Sequence, residues 1–564
     1  MSIFNSVADL RLSTLKAGDH VETRSYYADT PIDTVGAASY LVVKQADFGG
    51  APDDVGNILL FNGNVAQLIV DSDLKAAQWG LKKSAIGAVG FDNSANLQAL
   101  VDYASLTGSV ISFEAGRYYL NTGVTIPTNN DGTGINSVIF QGAGRTRTEI
   151  FTDQTINMIT HNDYFVMRDL FLAQRGEDGG TKYTGSALYS TGQVRFCDFD
   201  NVNIWWFKFG TIWRFSLWNN FSNMSYNGNL CGIKLARNDD MEDQDNPSPP
   251  GTWNAGDGWF HNQNTFNTIL FNGDKESNGG RGEIGFWGAV QGTDFSNITC
   301  QNYERSGAIP NETIPLGQVS TCMEIQGGGP TSAQTFNNKL DDYYIERSFK
   351  GLKVVNNRRL TINSWFSQGQ AGGENLLEVD TSDVTIRGQT GQTPGFTNGV
   401  YATDSNITLD KPLAASGTTR VLNNSYLSEN GIPIPDTVKN VTVTASAGTG
   451  GGSLTLLPDA DVLAYTRQGS SVVVTGRVAV DTVASLTGDF FNIDGLPFAP
   501  SNEPDNSGNA AVSITYFPAG GGTLTVPGLI VENSTSIRVY YDGATVAAGD
   551  EIHVSATYLS SKTS

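Results

Sequence analysis

The sequence predicts an all-β protein: a right-handed parallel β-helix with a small mixed β head before it, one helix leading into it, and an antiparallel β-sandwich after it. Three observations carry this. The 564 residues include 64 glycines, and only 16% are charged. Glycine at about 11%, against an average near 7%, with no collagen-like period, means many turns and short strands. A Phe-x-Asn unit recurs through the middle of the chain, and alternating apolar and polar runs fill its last hundred residues. The predicted boundaries are 1–84 for the head, 85–437 for the β-helix and 438–564 for the sandwich.

In the head, YLVVK and VAQLIV read as strands in a Gly/Asp-rich setting. The one amphipathic helix is Asn93–Ala104, where Leu97, Leu100, Val101 and Ala104 fall at helical spacing and Asp92 or Asn93 can cap the first turn. The run SVISFEAGRYYL then reads as strand, tight glycine turn and strand. The repeats follow, at Phe199-Asp-Asn-Val, Phe221-Ser-Asn-Met, Phe266-Asn-Thr-Ile, Phe295-Ser-Asn-Ile and Phe336-Asn-Asn-Lys-Leu, with a looser unit at Leu360.

Their short spacings, 22 and 24 residues, define a rung; 29 and 41 are that rung plus an insertion, and 45 is either an insertion or two rungs. If each rung is one turn of a parallel β-helix, phenylalanine stacks on phenylalanine inside. Asn201, Asn223, Asn297 and Asn338 then form an amide ladder along a corner. A β-propeller, which needs longer and more regular blades, ranks second. Past residue 438, TASAGTGGGS reads as a flexible linker. SSVVVTGRVAV, AAVSITYF, TSIRVYYDG and DEIHVSATYL are strands of a sandwich with one buried face.

The same composition excludes several classes. With 35 basic against 57 acidic residues and a net charge of −22, the chain is too acidic for nucleic acid. No apolar stretch approaches the roughly 18 residues of a membrane span, and the N-terminal segment lacks a secretion signal's apolar core. Membrane insertion and a cleaved leader are not expected. Cys197, Cys231, Cys300 and Cys322 are scattered and read as small buried hydrophobes. The four histidines are equally dispersed, so no zinc site and no other cofactor is expected. The acidic run from Asp239 to Asp245 lacks the glycine and closing glutamate of a calcium loop and reads as a solvated loop. The N-x-S/T triplets are a by-product of Asn-rich turns.

Three segments together resemble the pectate-lyase-like tailspike and depolymerase proteins of tailed bacteriophages, over nearly the whole chain. LKAGDHVETRSYYADT with SYLVVK, NILLFNGNVAQLIV and LKAAQWG is similar to their head segment. FDNSANLQALVDYA with SVISFEAGRYYL is similar to their leading helix and first rung, with Asp92-Asn93 where an acidic pair is usual. AYTRQGSSVVVTGRVAV with FFNIDGLPFAP resembles the sandwich at the ends of tail fibres and spikes. The resemblance implies a homotrimer on the virion tail, held by tail or baseplate proteins. It would be made in the host cytoplasm and would bind and cut a capsular or O-antigen polysaccharide at the bacterial surface.

Glycoside hydrolysis needs one carboxylic acid to protonate the leaving oxygen and a second carboxylate as nucleophile or base. Counting from the repeat phenylalanines, Glu304 and Glu346 fall at nearly equal offsets, within the words Tyr303-Glu304-Arg305-Ser and Ile-Glu346-Arg347-Ser. Stacked rungs lie about 4.8 Å apart, near the roughly 5–5.5 Å of a retaining pair. Glu283 and Glu324, twelve residues before their phenylalanines, form a competing pair. Each of the four also reads as a solvated surface glutamate beside an arginine. Trp253, Trp259 and Trp287 flank an insertion and are the preferred sugar platforms. Trp205, Trp206, Trp213 and Trp218 read as packing or trimer contact.

The leading expectation is an endo-acting hydrolase. A polysaccharide lyase would instead draw a neutralising cation and a base from Arg281, Arg305, Arg347, Tyr303 and His261. A non-cleaving adhesin is the third reading. A body of −22 disfavours a strongly anionic polymer unless arginines line the groove, so neutral or mildly acidic repeats are favoured. The sandwich would clamp the trimer or hold sugar.

Overall fold

The computed structural model describes all residues except 1, 29–35, 50, 71–72, 87–89, 128–136, 176–183, 236–260, 274–283, 304–320, 328–336, 369–372, 391–395, 411–418, 424, 430–431, 435–438, 449, 469–470, 501–508, 532–533, 542–544 and 561–564. The chain divides into two compact units, residues 1–399 with 413–418, and residues 400–412 with 419–564.

The first unit opens on a five-stranded sheet, in the order Ser2–Phe4, His20–Thr23, Ala38–Lys44, Asn64–Leu68 and Ile58–Leu59. The helix runs over Ser94–Thr107 and ends at Gly108 in the left-handed region. Asp92 supplies the start, its Oδ1 accepting from the Ser94 amide at 2.9 Å and the Ser94 hydroxyl at 2.6 Å. Asn93 instead ties backbone groups at Lys82, Phe91 and Tyr119.

Beyond the helix the chain coils as a parallel β-helix. One sheet carries Asn220–Asn227, Thr265–Asn272, Asp294–Gln301, Asn338–Glu346 and Arg358–Gln368 in successive turns. A second carries Cys231–Leu235, Ile284–Gln291, Thr321–Gln326, Lys350–Val355 and Gly373–Asp380. Each long strand of the first sheet bends at a left-handed residue near its middle, which divides it into two faces.

Those bends stack. Asp169, Asn201, Asn223, Thr268, Asn297, Asp342, Ser364 and Gly388, with φ between 50° and 65°, form the column within the first sheet. Tyr164, Phe196, Trp218, Gln263, Gly292, Asn356 and Thr381 form a second, after the other sheet. Trp206, Gly228, Asn302 and Arg347 form a third. Left-handed backbone favours glycine and short polar residues that bond locally. The Asn223 amide does so, donating to Asp200 Oδ1 at 2.8 Å on the turn before. The expected corner amides at Asn201, Asn223 and Asn297 are therefore present.

Inside, Phe199, Phe221, Phe266 and Phe295 pair in register and stack with centroids 5.1, 4.7 and 5.0 Å apart. The 45-residue interval between Phe221 and Phe266 is thus a single turn with an insertion. Two expectations need correcting. The column continues from Phe295 to Leu340 and Ile362, not to residues at the Phe336 and Leu360 offsets; Phe336 itself lies outside the described residues. Asn338 does not join the corner amides.

Asn338 belongs to a buried polar ladder with Asn219, Asn264 and Thr293. The Cys197 amide donates to Asn219 Oδ1 at 2.9 Å, Asn219 to Asn264 Oδ1 at 3.2 Å, and Thr293 to Asn338 Oδ1 at 3.1 Å. These amides satisfy backbone donors where the chain turns, which an apolar residue would leave orphaned. All four cysteines are buried free thiols.

In the second unit an antiparallel sheet, from Lys439–Thr442 to Glu551–Leu559, closes over one core that includes Leu463, Val474, Phe491, Ile514, Ile537 and Ile552. The expected linker is not one. Thr444–Ala447 pairs with Phe491–Asp494 and Ser453–Leu456 with the strand Ser471–Ala484. Its glycines are there because a Cβ at Gly450 would stand 1.4 Å from the Thr487 carbonyl oxygen. Among the described residues no helix is long and apolar enough to cross a membrane.

Candidate functional site

Parallel stacking turns one outward position per rung into a strip along the coil. On the second face of the first sheet, Ser225, Leu270, Thr299, Tyr344 and Phe366 succeed one another, and beside them run Trp205, Asn227, Asn272, Gln301, Glu346 and Gln368. The early rungs form a groove of about 440 Å³ lined by Arg145, Asn203, Trp205, Asn223 and Asn297. Trp205 packs edge-on to Phe171 at 4.7 Å, and its indole nitrogen is buried without a hydrogen-bond partner.

On the later rungs Tyr344 and Phe366 stack with centroids 4.9 Å apart and planes 2° from parallel. Both are half-buried. The Tyr344 hydroxyl donates to Glu346 Oε2 at 3.3 Å, and Arg347 Nε lies 3.6 Å from the other carboxylate oxygen. Burial, then the Glu346 charge and hydrogen bond, raise the Tyr344 pKa, while Arg347 acts against them. Tyr344 therefore stays a neutral donor. The arrangement joins an apolar step to a half-exposed carboxylate, the combination that packs against a sugar's C–H face and reaches its oxygens.

The second sheet carries a different column, in the order Lys234, Trp287, Glu324, Lys353 and Glu378. Lys234 Nζ sits 4.6 Å from the Trp287 ring centroid. Glu324, only 3% exposed, accepts from Gln326 Nε2 at 2.5 Å. Lys353 Nζ lies 3.8 Å from Glu324 and 3.7 Å from Glu378, which bounds those carboxylate oxygens at about 7.5 Å apart. Lys350 is 3.5 Å from Glu378 and 3.4 Å from Glu374.

Burial alone pushes the Lys353 pKa down, but Glu324 and Glu378 outweigh it and hold the ammonium charged. Burial likewise works to raise Glu378, and Lys353, Lys350 and the Asn375 amide overcome it, keeping that carboxyl below its usual range. The column is a closed ion network.

The predicted residues divide accordingly. Glu324 and Trp287 are neighbours, as are Glu346 and Arg347. Glu304, Glu283, Trp253, Trp259, Arg281 and Arg305 lie outside the described residues. Neither equal-offset stack matches the register: Glu346 pairs with Gln301, and Glu324 with Trp287. The counting started from Phe336, four residues before the true column member Leu340. His261 and Tyr303 are corrections as well. His261 is buried with Nδ1 2.7 Å from Ser216 Oγ, and Tyr303 is buried near Cys300 and Cys322, so neither offers its side chain to a polymer.

Sequence reasoning missed Tyr344, Phe366, Lys353 and Glu378. A signal existed: Asp341-Asp342-Tyr343-Tyr344-Ile345-Glu346 and Asn363-Ser364-Trp365-Phe366-Ser367-Gln368 align at 22 residues, the basic rung length.

No protein-family model matches the chain, and no curated protein matches it in sequence. Among solved structures, the gp42 tailspike of Acinetobacter phage vb_AbaP_AS12 is similar over 97% of this chain and 94% of that one, with a TM-score of 0.50 and 12% identity. The enzymatically active domain of tailspike protein 2 from bacteriophage CBA120 is similar over 100% and 86%, at 0.48 and 13%. Tailspike gp49 of Acinetobacter baumannii bacteriophage Fri1, a capsular polysaccharide depolymerase, is similar over 100% and 99%, at 0.41 and 13%. The chain has the parallel β-helix fold of phage tailspike proteins.

Proposed function

We propose that this chain is a phage tailspike that binds and cuts a bacterial surface polysaccharide as an endo-acting glycoside hydrolase. The observation that carries the reading is Glu346, half-exposed beside the stacked Tyr344 and Phe366 on an outward strip that runs along the coil. A long polymer needs such an extended face, and its cleavage needs an accessible carboxyl group. Glu346 acts as the acid that protonates the leaving oxygen. Glu304, three residues beyond the Gln301 that pairs with Glu346, is the proposed second carboxylate. The sandwich holds a homotrimer, the virion tail is the site of assembly, and the partners are the polysaccharide and tail or baseplate proteins.

The test incubates purified protein with a panel of capsular and O-antigen polysaccharides, reading viscosity and the mass of released oligosaccharides. Saturated fragments of one or a few repeat units are expected, with release abolished in Glu346→Gln. Fragments 18 mass units lighter, absorbing near 235 nm, would replace hydrolysis by elimination. Unchanged viscosity across the cognate capsule would leave a binding protein only.

A further inference from the structure

A second groove, of about 550 Å³, opens on the first face of the first sheet, one corner away from the Tyr344–Phe366 strip. Register brings its walls together: Asp294 pairs with Lys339, Lys339 with Thr361, Thr361 with Thr385, and Asn363 with Arg387. Lys339 is occupied by Asp341, and the Asn363 amide donates to Asp341 Oδ1 at 2.7 Å. Arg359 and Arg387 are exposed, and neither side chain makes a hydrogen bond or ion pair among the described residues. On a chain of net charge −22, two uncommitted guanidinium groups lining one groove stand out.

The backbone at Arg359 is the second observation. Every other non-glycine left-handed residue described in the β-helix of the first unit falls in one of the three corner columns, where stacked neighbours repeat the bend. Arg359, with φ of 71°, falls in none of them and sits where the register with the next strand slips between Arg358 and Leu360. That conformation costs a side-chain-bearing residue on the order of 1–2 kcal/mol. An inserted, strained residue that directs a cation into a groove is a feature of ligand sites.

The geometry points to an acidic-sugar subsite here: a pyranose bearing a carboxylate, of the uronic or nonulosonic class, bound with its carboxylate on Arg359 and Arg387. Its hydroxyls donate to the acceptors Asp294 and Asp383, which also line the groove. Guanidinium groups match a carboxylate's two oxygens, and the aspartates match the hydroxyl donors that a simple anion lacks. The inference rests on the polysaccharide reading and narrows its substrate to repeats containing an acidic sugar.

The test is saturation-transfer NMR on the full chain with hexamers of hyaluronan, polygalacturonate and polysialic acid, and with a neutral dextran hexamer. At least one acidic hexamer is expected to bind tenfold or more tighter than dextran, with the preference lost in Arg387→Gln. Arg359→Gly, which suits the positive φ, is expected to hold or raise Tm while weakening acidic binding at least fivefold. No acidic preference, or an Arg359→Gly/Arg387→Gln double variant that binds like wild type, overturns the subsite. Binding is read apart from cleavage. A chain that cuts only neutral polymer loses the subsite and keeps its hydrolase function; one that binds acidic sugar without cutting does the reverse.

Discussion

Glu346 and Glu324 occupy the same coil, each in a strand of a parallel sheet, yet their surroundings differ in kind. Glu346 is half-exposed, touched by one hydroxyl and one arginine beside an aromatic stack. Glu324 is buried, hydrogen-bonded to Gln326 and tied through Lys353 to Glu378. A carboxylate open on one side can exchange a proton with a substrate. One enclosed by its own counter-charges is committed to them. The comparison teaches that which carboxylates stack is less informative than what each is already bonded to.

The largest expected effect sharpens this contrast. Glu346→Gln should lower the rate of oligosaccharide release by about 10²–10⁴-fold, the usual worth of a general acid, with an unchanged melting curve. Glu324→Gln should retain most of the activity. If the two outcomes exchange places, the closed network is the catalytic centre and the outward strip only binds.

Next comes stability. Glu324→Ala takes one of two close carboxylates from Lys353, which keeps Glu378, and leaving a partly buried partner less satisfied costs about 1–3 kcal/mol. Denaturant unfolding should show that loss, against almost none for Glu346→Ala. Replacing Glu324 and Lys353 together by apolar residues should recover part of it.

A third prediction concerns pH. His161 is buried between Phe165, Phe199 and Trp213, with the Trp213 indole donating to its Nε2 at 3.1 Å. Burial lowers its pKa to about 4, the Asn162 carbonyl acting weakly the other way. As pH falls from 6.5 the unfolded chain takes up this proton first, so stability declines between pH 6.5 and 4 by about 3 kcal/mol. Glu378, with its pKa held low, contributes stability that is present above the unfolded value and lost only as pH falls below it. Melting temperature followed from pH 7 to 3 should show the first decline, and His161→Asn should flatten it.

The smallest effect is expected at the aromatic step. Tyr344→Ala or Phe366→Ala should raise KM roughly fivefold, from about 1 kcal/mol of lost ring contact, with kcat within a few-fold. A change in kcat alone would place the ring pair in the chemistry instead.

Much of the fold is legible in the sequence because the β-helix repeats a local requirement. Phe199, Phe221, Phe266 and Phe295 announce the core column, and Asn201, Asn223 and Asn297 the corner. The repeat fails to announce its own continuation. Leu340 fills the phenylalanine position as well as Phe336 could, because the core asks for apolar volume and not for a residue type. That slip of four residues misplaced both glutamate pairs. The linker reading failed for a related reason: glycines that a packed turn requires look the same in sequence as glycines of a flexible tether.

By itself the sequence determined that this chain coils, that Asn201, Asn223 and Asn297 turn its corner and that the alternating segments from Ser471 onward form antiparallel strands. Those properties follow from side-chain size and backbone preference within one turn. Only the tertiary structure decided that Tyr344 meets Phe366, that Lys353 stands between Glu324 and Glu378, and that Arg359 and Arg387 line one groove. Such neighbours are set by register between turns of unequal length, and insertions of any size leave the register free to be chosen by packing.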